Sequence, residues 1–464
     1  MNVILLNPPK FKGNNLLSDC VLTRCTGVPS KSPYVWPPIG LAYIAGYIEN
    51  ISNVNIFDSQ VENLNEETVI KKCKEYDLVI VNASSTSIDR DLRLCKMIRE
   101  DSDAKIVLIG SHSTYFHDEL IENEFVDFVV RGEPEKIVYN LLKKIKNPGS
   151  VKGITWKKKG KVVVNNDEKL IDNLDEIPFP ARHLLPNKKY YDLITKKKPF
   201  TFIVSSRGCP YKCIFCSANA YNGCKFRFRS SENVIEEFVE VLNDGFKEVF
   251  FFDDTFVISK KRILKILDGI KDFRIPWRCT SRVDTVDKLI LEKMHEAGCY
   301  QIQFGVESGD QRILNLMKKG IKVDQVKKVF KWCDEIGIET VAHFILGYPG
   351  ENRESIKKTV NLMNEIHPDF ISLNMLTPVP GSEIFEILQP KENWENFDRG
   401  TLSFCEIDSK ELQEIVSKIY RNYYFRFSYL FRRIYKTKEP IRVIKQNLLF
   451  WIKRSGMLWE FLRR

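Results

Sequence analysis

Short apolar runs alternate with segments of helical period through the first third of the chain. Residues 3–6, 54–57, 78–81, 106–109 and 125–130 read as strands. Residues 38–50, 65–74, 88–99 and a segment from 134 to about 146 carry the three-to-four-residue apolar spacing of helices. Strands this apolar, each followed by a helix, predict a doubly wound parallel sheet. Ligands bind such sheets at the carboxyl ends of the strands. Here those ends carry Asn7-Pro8-Pro9, Asp58, a Ser/Thr loop with Ser84 and Thr86, Gly110-Ser111-His112 and Arg131-Gly132-Glu133. His112 is read as a hydrogen-bonding loop residue, not a metal ligand. No G-x-G-x-x-G occurs, which disfavours a nicotinamide site.

Residues 153–165 read as a hairpin turning at Lys158-Lys159-Gly160, and residues 174–182, with Pro178 and Pro180, as an extended link. Strand–helix alternation then resumes. Strands are predicted at 200–206, 248–252, 277–282, 300–304, 340–346 and 370–376. Six strands of this kind fit an open (β/α)6 barrel, with chemistry at the carboxyl ends. A helical region closes the chain. The expected divisions are 1–148, 149–194, 195–385 and 386–464.

Composition adds two points. With 43% hydrophobic and 28% charged residues, the chain reads as globular. No run reaches the roughly 18 apolar residues of a membrane span, and the apolar start is too short for a signal peptide. A cytoplasmic protein is expected, with most of its 12 Cys as free thiols. The net charge of +10 is concentrated at the end. Residues 418–464 hold 13 Lys and Arg against 2 acidic residues, interleaved with aromatics; two helices broken at Pro440 are expected there. Such a tail suits helices capping the barrel or peripheral contact with an anionic membrane. Nucleic acid is the weaker reading.

The chemistry centres on Cys209-Pro210-Tyr211-Lys212-Cys213-Ile214-Phe215-Cys216. Three thiols in eight residues suit three irons of an iron–sulfur cube, with one iron left open. Zinc is the alternative, but it prefers paired knuckles and four ligands. The nearest fourth thiol is Cys224, and no His lies between Cys209 and Cys224.

Cys209-x3-Cys213-x2-Cys216, with an aromatic before the last Cys, resembles the motif of the radical S-adenosylmethionine (SAM) superfamily. The resemblance implies a [4Fe-4S] cluster on Cys209, Cys213 and Cys216, SAM on the open iron, and reductive cleavage of SAM to a 5′-deoxyadenosyl radical. It places Phe215 near the adenine and Asp253 and Asp254 at the SAM amino group. Arg282 falls at the carboxylate or ribose, and Glu307, in Gly-Val-Glu-Ser-Gly, at the ribose or amino end. Gly347 and Gly350, in Gly-Tyr-Pro-Gly-Glu, belong to the loop against adenine. The resemblance covers about residues 200–381.

The first third resembles the cobalamin-binding domain fused to many such enzymes. The resemblance implies cobalamin contacts at Asn7, Asp58, Ser84, Gly110, Gly132 and Glu133. One feature departs: Asp58 is followed by Ser59 and Gln60, so the Asp-x-His motif that gives some cobalamin proteins a cobalt ligand is absent. The expected activity is methylation of an unactivated carbon, with one SAM methylating cobalamin and another giving the radical. Oxidative cyclisation, carbon–carbon coupling or rearrangement is the alternative, and a cobalamin sensor or scaffold the non-enzymatic one. The expected partners are a small-molecule or lipid-like substrate and a low-potential donor such as ferredoxin or flavodoxin.

Overall fold

The computed structural model describes residues 1–9, 15–16, 29–30, 35–85, 87–389, 402–437 and 443. The first sheet contains β1 (Asn2–Asn7), β4 (Asn53–Asp58), β5 (Leu78–Asn82), β6 (Lys105–Ile109) and β7 (Phe128–Val130); β2 (Asn15–Leu16) and β3 (Pro29–Ser30) form a separate two-stranded pair. The five strands run parallel in the order β4-β1-β5-β6-β7. All of β5 and all but the first residues of β1 and β6 are buried, because helices cover both faces. The order reverses between β1 and β5, which is where such sheets open a crevice.

The hairpin assigned to the linker belongs to this sheet. β8 (Ile154–Lys158) pairs antiparallel with β7, and β9 (Lys161–Val164) with β8. Arg131 binds it there, donating to the Ile154 carbonyl (3.0 Å) and Thr155 Oγ1 (2.6 Å). The short helices Ser111–Tyr115 and His117–Glu122 were not foreseen.

The second unit is the expected partial barrel. β10 (Phe200–Ile203), β13 (Glu248–Phe251), β14 (Trp277–Ser281), β15 (Cys299–Glu307), β16 (Glu339–Leu346) and β17 (Phe370–Met375) form one parallel sheet in chain order. Between β10 and β13 lies a two-stranded ribbon, β11 (Ser206–Arg207) with β12 (Arg227–Phe228). Alternation divides the strands' side chains. Val249, Phe251, Cys279, Ile302 and Phe304 pack outward on the helices. Phe200, Phe202, Phe250 and Phe252 instead join the core of the first unit, through the linker. Trp36 meets Phe202, Phe250 and Phe252 edge-on, with centroids 5.5–6.2 Å away, and so packs against β10 and β13. The linker is thus no free tether. Residues 35 and 191 bridge, and the Ala181 N–H donates to the Ala42 carbonyl (2.9 Å). Gly46 is required there, since a Cβ would lie 2.4 Å from the Phe179 carbonyl oxygen.

β17 is one edge of the barrel sheet, and an exposed edge invites pairing. Helix Ser409–Tyr424 covers it with tyrosines. The Tyr420 hydroxyl accepts from the Leu373 N–H (2.7 Å), and the Tyr424 hydroxyl from the Ile371 N–H (3.0 Å). Four residues of helix rise about 6 Å and two of strand about 6.6 Å, so the periods match. Helix Phe427–Thr437 follows. The two helices are separated at Phe425 and Arg426. Pro440 and the break expected there, the terminal Trp and Phe residues, Thr86, Cys20 and Cys25 lie outside the described residues.

Candidate active site

The Cys loop leaves the carboxyl end of β10 and is held from several sides. Asp253, just past β13, accepts from Ser205 N (2.6 Å), Ser205 Oγ (2.5 Å), Ser206 N (3.3 Å) and Ser206 Oγ (2.9 Å). It is 1% exposed and is spent on fixing the loop's entry, so it presents no free acid to a ligand. Gly208 has φ +85°, and a Cβ there would lie 2.4 Å from the Lys225 carbonyl oxygen. Further along, the Ile214 N–H donates to the Met317 carbonyl (3.2 Å) and the Ile384 N–H to the Ile214 carbonyl (2.8 Å). Cys209 and Cys213 are half-buried and Cys216 is exposed. Burial pushes the Cys209 thiol up; a bound metal would displace that proton. Among the described residues no three His, Cys, Asp or Glu side chains converge on a single-ion site. A cube takes its thiolates on separate irons, which suits a spread loop.

Arg282, past β14, reaches this loop. Its Nη1 donates to Cys213 Sγ (3.6 Å), and its guanidinium lies 3.5 Å from the Tyr211 ring centroid. Nη2 donates to the Lys319 carbonyl (2.6 Å), and Asp284 pairs with Nε and Nη2 (2.9 and 3.0 Å). Glu307 ends β15 at φ +67°, a left-handed conformation that costs a non-glycine residue strain. Its carboxylate pairs with Lys319 Nζ (2.7 Å), and both side chains are 8% exposed. Gly305 makes room, because a Cβ there would lie 2.3 Å from Glu307 Oε1. The Lys319 ammonium lies 5.7 Å from the Phe215 ring. Asp254 accepts from Asn222 Nδ2 (3.2 Å). Gly347 and Gly350, both at positive φ, form the turn after β16. Glu351 fastens it by accepting from Gly347 N (2.7 Å) and Tyr348 N (3.2 Å), and burial pushes its carboxyl up to about 7.

Sequence reasoning missed Lys319 and Arg207. Lys319 stands in an ordinary Lys-Lys-Gly, and only the fold brings it to Glu307. Arg207 lies two residues before Cys209. It pairs with Glu133 (3.2 Å) and Glu135 (2.6 Å) from the end of β7, and Arg227 joins Glu133 (2.9 Å). The predicted cobalamin contact Glu133 is therefore a joint between the first sheet and the cluster loop.

Two other predicted contacts also turn inward. Asn7 Nδ2 donates to Asp58 Oδ1 (2.7 Å), and the Tyr190 hydroxyl to Asp58 Oδ2 (3.0 Å). Asp58 is fully buried, and burial lifts its carboxyl to about 6. His112 is buried, with Nδ1 2.9 Å from Ser85 Oγ. What the edge offers is backbone. Gly110 has φ +113° and Gly132 φ +82°, and a Cβ on Gly132 would meet no atom within 4 Å. Ser84 N approaches Asp91 Oδ2 (3.5 Å), which ties its loop to the following helix.

The radical SAM superfamily matches residues 203–363, and the B12-binding domain matches residues 26–142. An uncharacterized methyltransferase of Pyrococcus horikoshii is 31% identical over 454 residues, which cover 94% of this chain and 95% of that one. The chain belongs to the radical SAM superfamily and carries a B12-binding domain. The anaerobic magnesium-protoporphyrin IX monomethyl ester cyclase of Rubrivivax gelatinosus is 28% identical, covering 92% of this chain and 80% of its own. In fold, the chain is similar to TsrM of Kitasatospora setae, a radical SAM methyltransferase solved with cobalamin and a [4Fe-4S] cluster bound. That match has a TM-score of 0.65 at 18% identity and covers 84% of this chain and 74% of that one.

Radical SAM enzymes use a [4Fe-4S] cluster and SAM, and the residues here fit both. Three thiols share one loop, Arg282 faces a sulfur, and the carboxyl ends of β13 to β16 surround them. At the edge of the B12-binding domain Gly132 leaves room for cobalamin, since a Cβ there would meet no atom within 4 Å. The Asp58 loop carries no His to ligate cobalt from below.

Proposed function

We propose that this radical SAM enzyme is a cobalamin-dependent methyltransferase acting on a carbon of a small molecule. The observation that carries this reading is the Arg207–Glu133–Glu135 joint. It ties the carboxyl edge of the first sheet to the loop that carries Cys209, which supports placing the two cofactors side by side. Bound there, the cluster, SAM and cobalamin supply an electron, a hydrogen-abstracting radical and a transferable methyl group. The chain's own residues orient and shield. Cys209, Cys213 and Cys216 ligate, Arg282 steadies the Cys213 sulfur, and Phe215 with the Glu307–Lys319 pair lines the SAM side. Asp254, Gly347 and Gly350 shape the same rim, and Gly110, Gly132 and Ser84 give cobalamin a backbone seat. A ferredoxin or flavodoxin delivers the electron.

The relation to a cyclase supports a second reading, radical ring closure without methyl transfer. Product analysis under strict anaerobiosis separates the two. Reconstituted protein with cobalamin, SAM, dithionite and candidate substrates should yield S-adenosylhomocysteine together with 5′-deoxyadenosine. Turnover that gives deoxyadenosine alone overturns methylation.

A further inference from the structure

Helix Phe427–Thr437 has two unlike faces. On one, Tyr429 is buried and donates to the Asp369 carbonyl (2.8 Å), and Arg433 pairs with Asp369 (2.9 Å) and Glu339 (3.7 Å). Arg432 pairs with Asp334 (2.7 Å), and Arg426, just before the helix, lies over the Tyr423 ring (4.4 Å). These cations are spent on the protein. On the other face Phe427, Phe431 and Tyr435 are 91%, 76% and 80% exposed. Four-residue spacing stacks them in one stripe, and Phe425 beside it is 53% exposed. Rings this bare on successive turns mark an interaction surface.

Charge selects the partner. From residue 438 to the end the sequence adds seven Lys and Arg against two acidic residues. A second copy docked on this stripe would bring two such segments together against their repulsion. A nucleic acid would need free cations on the face, where the helix offers bare rings. An anionic bilayer satisfies both features, taking the rings at its headgroup boundary and attracting a net basic sequence. We infer that this helix, on a chain whose remaining sequence is net basic, attaches the protein peripherally to an anionic lipid bilayer. No helix among the described residues is long and apolar enough to cross a membrane. Arg433 pairs at the amino ends of β16 and β17, so the stripe lies at the barrel end opposite the Cys loop.

The test is co-sedimentation of the full-length holoenzyme with vesicles of phosphatidylglycerol and phosphatidylcholine, or of phosphatidylcholine alone. The wild type should pellet with the anionic vesicles and leave them in high salt. The triple variant Phe427→Ser, Phe431→Ser, Tyr435→Ser should bind about tenfold more weakly. Its SAM cleavage under dithionite should be unchanged, because the stripe is remote from the Cys loop. Equal pelleting of the two proteins, or no pelleting of the wild type, overturns the inference. So does sedimentation velocity that shows a wild-type dimer and a monomeric variant. Pelleting is independent of turnover, so this result and the methyltransferase reading stand or fall separately.

Discussion

The two carboxyl edges, joined through Arg207, Glu133 and Glu135, use their residues in opposite ways. At the barrel edge, side chains singled out by pattern converge on an open loop: three Cys, Arg282 against a sulfur, and Phe215 beside Lys319. At the edge of the first sheet, the singled-out Asn7, Asp58 and Glu133 are buried in contacts with the protein itself. Bond-forming ligation needs specific atoms, so it leaves a side-chain signature. A broad planar cofactor is seated by shape and backbone, and the conspicuous polar residues around it are free to hold the framework.

The largest effect should come from the loop. Cys213→Ser should abolish both the visible absorbance of the reconstituted cluster and dithionite-driven 5′-deoxyadenosine formation. Full activity in that variant would remove the first half of the comparison.

The joint comes next. Arg207→Ala leaves Glu133 and Glu135 buried with one partner removed. Breaking a buried pair from one side costs about 3–5 kcal/mol, readable as a lower urea midpoint. If Glu133 were instead a cobalamin ligand, the apoprotein would keep its midpoint and only cobalamin retention would fall.

Asp58 makes the same point through pH. The folded chain holds its proton up to about pH 6, whereas the unfolded chain releases it near the ordinary value of 3.8. Between those values the folded state binds more protons, so stability falls as pH rises from about 4 to 6. The fall is roughly 3 kcal/mol. Asp58→Asn should remove that component when urea curves of the apoprotein are compared at each pH. Identical slopes for the two proteins would show that Asp58 is solvated, as a cofactor-facing residue would be.

Asp253 poses the same question at the barrel edge itself. Its position after β13 resembled that of a SAM ligand, yet its oxygens are spent on Ser205 and Ser206. Asp253→Asn should cost about 1–3 kcal/mol, the price of a mismatched buried hydrogen bond, with the cluster absorbance reduced in parallel. A weaker affinity for SAM at unchanged stability would return Asp253 to its expected role.

These cases show how far the sequence reached. Both sheets, the six barrel strands and their order follow from apolar period and turn residues, since local pattern reports which face is buried. The ligating loop was legible because three thiols at fixed spacing have few other uses. Lys319, Arg207 and Trp36 were not legible, because each matters through a contact 12 or more residues away. The hairpin β8–β9 was recognised, but nothing local says which sheet it extends.

The tyrosine cover of β17 carries the smallest expected effect and asks whether the two edges are independent of the barrel's flank. The Tyr424 hydroxyl accepts from the Ile371 N–H and lies 3.3 Å from the Ile371 carbonyl oxygen. Tyr424→Phe keeps the ring stacked near Tyr420, Tyr423 and Tyr429 but leaves a buried N–H unpaired, at about 1–2 kcal/mol. Tyr420→Phe should cost less, since Tyr420 is only half-buried and water can replace its hydroxyl. Amide exchange at Ile371 should quicken in the first variant, while cluster absorbance and SAM cleavage stay at wild-type values. That split is required if the loop is held by Asp253, Met317, Ile384, Arg282 and the Arg207 joint, with no part played by the tyrosine cover. A loss of cluster on Tyr424→Phe would instead make the helix Ser409–Tyr424 part of the machinery that shapes the barrel mouth.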